Sequence, residues 1–232
     1  MTGRTGWSLS LLAAAALLTG CARGHAPKID ESWLARVPPN QMGPVEQARS
    51  ELQQAQNEKN RAEVGLQDAK NRLDVAKSER DSAKSRVKAA ENQVELARNT
   101  GDASQVEKAQ SQLKKAETGL AAAEAQVEWA EANREAAEAR LKYAEAQVRT
   151  HEALLRQAEY QVLADANDTR VRDMNPQSFE AEVSARQAEA AQARRELQEK
   201  EQKVASAYEK WDEARSRAQE SERPAPGEFP RG

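Results

Sequence analysis

The chain has one cysteine, Cys21, and two histidines, His25 and His151, so its stock of reactive side chains is small. A single thiol excludes an internal disulfide. Metal ions need clustered ligands, and none cluster in this sequence. His151 could titrate near ~6.5 as a pH sensor, or it could be a partly solvated residue in a helix seam. Glu117, Glu124, Glu131, Glu138, Glu145, Glu152 and Glu159 are seven apart. On a helix that is about 10 Å between neighbours, at ~1.5 Å rise per residue, so no two reach one cation and the row reads as a solvated face. Gly65 and Gly119 stand alone, and no glycine-rich phosphate loop is present. No catalytic residue, metal or cofactor is therefore expected, and the chain is not expected to be an enzyme. What remains is Trp129, Tyr143 and Trp211, a candidate partner-docking ridge unless another helix of the same chain covers it.

The elements that hold these residues are written in the heptads. Val45, Leu52, Lys59, Leu66, Leu73, Arg80, Val87 and Val94 are seven apart, and three residues after each comes an alanine, Ala48 through Ala97. Apolar a and small d positions sustained over eight heptads specify a coiled coil. The pattern resumes with Val106, Leu113, Leu120 and Val127 at a and Ala109, Ala116, Ala123 and Ala130 at d. Between the two runs, Asn99-Thr100-Gly101-Asp102 supplies a helix stop and a capping residue. So short a loop makes the helices antiparallel neighbours. The expectation is an all-α fold, a long antiparallel coiled-coil hairpin of helices at about 44–98 and 104–166. Its layers set one larger side chain against one alanine, Val94 on Ala109 and Ala76 on Val127. Lysines at e on the first helix, Lys77 and Lys84, are expected to face Glu124 and Glu117 and select the register. Lys59, Arg80 and Arg134 interrupt the a stripe, where long stems can run past facing alanines to solvent.

Helix two carries a second stripe, Ala122, Ala125, Trp129, Ala132, Ala136, Ala139, Tyr143, Ala146 and Ala153. After a break at 167–175, Asn175-Pro176 can open a third helix at about 176–221, with Leu197, Val204 and Trp211 on one side. Folding back about residue 170 sets Trp211 near Trp129 and Leu197 near Tyr143. The two seams of helix two point roughly 150° apart, at about 103° per residue for a 3.5-residue turn. The three helices should thus form a shallow layer with helix two in the middle. Only 4% of residues are aromatic, 31% are charged and the net charge is −3. That favours a thin helical seam over a thick core and leaves no basic surplus for nucleic acid.

Residues 1–20 pair Arg4 with an apolar run at 7–18. The run is ~12 residues long, too short to span a bilayer and suited to a signal core. It ends in Leu18-Thr19-Gly20-Cys21, which resembles the lipobox of bacterial lipoproteins. The resemblance covers the first 21 residues. It implies cleavage before Cys21, lipidation of its sulfur and new amine, and anchoring in the cell envelope. Ala22 stands where an aspartate would retain an enteric lipoprotein, so the implied address is the outer membrane facing the periplasm. Residues 21–43, with Pro27, Pro38, Pro39 and Gly43, read as a lipidated tether with one or two helical turns at 29–37, and 222–232 as a disordered tail. The alanine heptads resemble the murein-lipoprotein class in style. That family ends in a lysine joined to the wall, whereas this sequence ends Phe229-Pro230-Arg231-Gly232, so wall attachment is not implied. An envelope spacer or scaffold is the first functional expectation. An adaptor or accessory subunit of an envelope transport or assembly machine, or a holdase-type chaperone, is the second. A protein partner is expected in either case, with monomer or homo-oligomer left open.

Overall fold

Helix α1 spans Gly43–Thr100, α2 Ala103–Asp165 and α3 Pro176–Glu222 in a computed structural model that describes residues 26–223. The signal segment 1–20, Cys21 and the tail from Pro224 lie outside the described residues. Each boundary follows from local chemistry. Gly101 adopts φ 73°, the left-handed conformation that glycine takes most easily. The Asp102 side chain then accepts from the backbone N–H groups of Ser104 and Gln105 at 2.9 and 3.3 Å. Asn175 caps α3 by accepting from the Gln177 N–H at 3.0 Å, with Pro176 in the first turn.

The heptad seam joins α1 to α2. Ala48, Ala55, Ala62, Ala76, Ala83, Ala90 and Ala97 are buried, as are Ala109, Ala123, Ala130 and Ala144 across from them. The expected layers form: Leu73 and Ala76 pack with Val127 and Ala130, and Val94 and Ala97 pack with Ala109. Lys59, Arg80 and Arg134 leave the seam for acids on their own helices, Glu63 at 3.2 Å, Asp81 at 2.8 Å and Glu138 at 2.6 Å. The expected Lys84–Glu117 and Lys77–Glu124 pairs do not close. Among the described residues, no lysine or arginine of α1 pairs with an acid of α2. Holding two long exposed side chains together costs about as much rotamer freedom as the ion pair returns. One neutral donor crosses instead, Gln126 Nε2 to Glu79 at 2.7 Å.

The ion pairs lie on the other seam. From α2 to α3 run Glu135–Lys200 at 2.7 Å, Arg140–Glu201 at 3.0 Å, Lys142–Glu196 at 3.0 Å, Arg149–Glu189 at 3.8 Å and Arg156–Glu182 at 2.7 Å. They flank a stripe whose Ala139, Ala146 and Ala153 are each 2% exposed. Both α1 and α3 pack along α2, so α2 is the central helix of the layer.

The stretch 21–43 corrects the tether expectation. From Ala26 on it is packed, forming 3-10 turns at Glu31–Arg36 and Pro39–Gln41. Ile29, Leu34 and Val37 are buried with Val45, Val162, Leu163, Val171 and Phe179. Leaving three such side chains in water would forgo about 1.5–3 kcal/mol each, which is why the segment does not run free. Its ties are Arg49 to Glu31 at 3.2 Å and the Arg170 guanidinium over the Trp33 ring at 5.1 Å. This strap closes the open end of the hairpin, opposite the Gly101 turn.

Small-angle scattering should report a rod. The 63 residues of α2 extend about 95 Å at ~1.5 Å each. A uniform rod of that length has a radius of gyration of about 27 Å, against about 17 Å for a compact chain of this size. A value near the compact figure would contradict the layer.

Candidate functional site

The aromatic ridge is not open. Trp129 and Trp211 stack with ring centroids 4.7 Å apart and planes 1° from parallel. Tyr208, which the sequence reading did not single out, stands edge-on to both, at 5.8 Å from Trp129 and 5.6 Å from Trp211. Arg215 lies over the outer side of Trp211 at 5.2 Å. Tyr208 keeps 45% of its surface, and Trp129 and Trp211 are half-buried. Tyr143 accepts a hydrogen bond from Gln147 Nε2 and lies level with Leu197. Of the three candidate docking residues, the structure brings Trp129 and Trp211 together across α2 and α3 and leaves Tyr143 apart, in a groove.

That groove has a volume of about 690 Å³ and runs between α1 and α3 over the floor of α2. Ala136, Ala137 and Tyr143 form the floor, Arg61, Gly65 and Arg72 one wall, Leu197 and Val204 the other. It exists because the two seams of α2 diverge by about 150°, too wide for α1 and α3 to meet above it. Ala69, a d-position alanine, is half-exposed because it borders this opening. The outer face of α1 is a second unpaired surface. Asn71, Val75, Ser78, Ser82, Ser85, Ala89, Asn92, Leu96 and Asn99 carry no charge and are all exposed, with Val75 at 56% and Leu96 at 66%.

Among the described residues no group of three or more acids, histidines or cysteines is disposed to hold a metal ion, and none of the helices is long and apolar enough to cross a membrane. His151 sits in the α1–α2 seam, its Nδ1 3.6 Å from a Glu51 carboxylate oxygen and without a hydrogen bond. The glutamate row is exposed at Glu117, Glu124, Glu131 and Glu152, half-buried at Glu138 and Glu145, and buried at its end. Glu159 is 5% exposed, while Glu152, one heptad before it, is exposed. Burial holds the Glu159 carboxyl above its ordinary range; Arg49 and Arg156 oppose that shift and Glu31 adds to it. On the α2–α3 seam the Lys200 ammonium holds the Glu135 carboxyl below its ordinary range and is itself raised. The signal for the buried glutamate lay in Ile29, Trp33, Leu34 and Val37, an apolar set too closely spaced to stay in water and needing a surface to cover.

Replacing Trp211 with alanine tests whether the ridge is satisfied within the chain. Loss of a half-buried ring and its stack should lower stability by about 1–3 kcal/mol. Thermal unfolding followed at several protein concentrations should show the same loss at each. A loss that vanished on dilution would move the stack to a contact between molecules.

Compared with protein-family models, curated proteins and solved structures, the chain shows no significant match.

Proposed function

We propose that the chain is a lipid-anchored rod of the bacterial cell envelope, held in the outer membrane through Cys21 and acting in the periplasm as a spacer or scaffold. The observation that carries this reading is the packed strap. With Ala26 folded onto the rod, only four residues separate it from Cys21, and the five Cα–Cα steps between them reach at most about 18 Å. A lipid on Cys21 would thus hold the strapped end close to the bilayer, with the Gly101 turn at the far end of helices about 90 Å long. Stacked helices joined along two continuous seams transmit position as a stiff strut, which a disordered tether does not.

The second reading, an accessory subunit of an envelope transport or assembly machine, is favoured by the open groove along α1 and α3. Crosslinking in intact cells followed by purification separates the two. Transport or assembly subunits joined to the groove side would favour the second; wall material or self-crosslinks alone would favour the first. The anchor itself is tested by Cys21→Ser and cell fractionation, where a variant still held in the membrane fraction would refute it.

A further inference from the structure

Between Asn71 and Asn99 the outer face of α1 carries no charge. Every lysine, arginine and acid of that stretch stands at another heptad position. A helix face left in water is ordinarily the charged one. Val75 and Leu96 on this face are 56% and 66% exposed. The face occupies positions c and f, the same two with which α2 seats α3. On α2 those positions are buried or half-buried from Ala122 to Ala153, whereas on α1 they stand exposed among the described residues.

We propose that this face pairs with the same face of a second copy, parallel and in register. In that register Val75 meets Val75 and Leu96 meets Leu96. A slip of one heptad would set Leu96 on Ala89 and Val75 on Ser82, with less apolar contact. Asp81 then flanks the seam beside Arg86 of the second copy, twice over by symmetry. Asp74 would come near Glu79, but Gln126 of α2 holds Glu79 toward its own hairpin at 2.7 Å. Toward the strapped end, Arg61 and Asp68 occupy the same positions. Each would meet its like there, so the contact stops at Asn71.

The parallel direction rests on the anchor reading above. Two chains held in one membrane by their strapped ends point the same way, whereas an antiparallel pair sets those ends apart. The uncharged face is about 42 Å long, at ~1.5 Å per residue, and about 11 Å wide. Pairing therefore buries about 900 Å² in total, short of the about 1,200 Å² at which stable interfaces begin. The free chain is thus a monomer when dilute, and a shared membrane supplies the concentration that the face needs. Paired rods brace one another along the half nearest the Gly101 turn.

Disulfide trapping in intact cells tests the pairing. Ser82→Cys and Ser85→Cys should each give linked dimers under mild oxidation, severalfold more than Ser216→Cys on the exposed side of α3. Adding Ser85→Glu to Ser82→Cys sets like charges in the seam. It should cut the yield severalfold without moving the thermal unfolding of the purified chain. Equal yields at Ser82 and Ser216, no dimer from either seam variant, or a yield indifferent to Ser85→Glu overturns the proposal. Linkage only to a different protein does so too. A Val75→Cys chain linked to a co-expressed Asn92→Cys chain in preference to its own kind would show an antiparallel pair, and equally overturns it. The parent chain reads the anchor separately: with Cys21 lipidated it gives no disulfide, and a dimer linked through Cys21 marks a failed anchor. In that event the chain from Ala22, at millimolar concentration, should still dimerise in sedimentation and lose the dimer on Ser85→Glu. A monomer there means that the face has failed as well.

Discussion

Phe179→Ala is expected to cost about 3–5 kcal/mol, the loss typical of truncating a fully buried aromatic ring. Phe179 is 1% exposed and stacks on Tyr160 with centroids 4.7 Å apart. It sits where four parts of the chain converge: the strap through Leu34, α1 through Val45, α2 through Leu163, and the Thr169–Val171 turn through Val171. Elsewhere the rod is a seam one layer thick, so a deleted side chain loses few neighbours and the gap is open to water. At the base the cavity is enclosed, and the lost contacts add to the lost transfer free energy. Far-ultraviolet circular dichroism should show a lowered melting temperature, and proteolysis should cut residues 26–42 and the start of α3 before the hairpin tip. Leu96→Ala is the control: at 66% exposure it should shift stability by no more than about 0.5 kcal/mol. Equal losses from the two substitutions would mean that the base is not the thickest part of the core.

The contrast between base and rod also explains which parts of the fold were legible in the sequence. A coiled coil repeats one local rule, so Val94 on Ala109 and Ala76 on Val127 follow from counting sevens back from Gly101. The Trp129–Trp211 stack follows from the same count applied to the second stripe. The strap obeys no period. Its partners are distant in sequence, as with the Arg170 guanidinium that donates to the Trp33 carbonyl at 3.4 Å, and its short 3-10 turns carry too few residues to show a pattern. Glu159 was misread as solvated for that reason: its heptad position describes α2 and α1 alone, and the covering element comes from elsewhere. The ion pairs were misplaced for another. Charges at e are visible on both helices of the hairpin, but whether two exposed side chains meet is decided by fractions of a kcal/mol. Lys77 and Lys84 stay apart, while Glu135, Arg140 and Lys142 find partners on α3. The candidate docking residues were partly legible: the stripe was right, and its occupant was the chain's own third helix.

Cys21→Ser is expected to move the protein from the membrane fraction to the soluble periplasmic fraction, the largest effect foreseen for any single change. Each buried CH₂ of an acyl chain contributes about 0.8 kcal/mol, and one chain alone binds only marginally while two or more hold stably. On the proposed anchor, removing every chain therefore abolishes, rather than weakens, attachment; no described helix is long and apolar enough to span a bilayer. The apolar run at 7–18 complicates the readout, because blocked cleavage could leave it attached as a substitute anchor. A second version, in which the chain from Ala22 follows a signal cleaved without any cysteine, removes that ambiguity and should be wholly soluble. Mass spectrometry of the wild type supplies the positive result: a mature chain starting at Cys21 and heavier than residues 21–232 by its acyl groups. A wild type of unmodified mass, or a cysteine-free version that stays with the membrane, would mean that something other than lipid holds the rod there. The groove between α1 and α3 would then be the surface to examine for the protein that does.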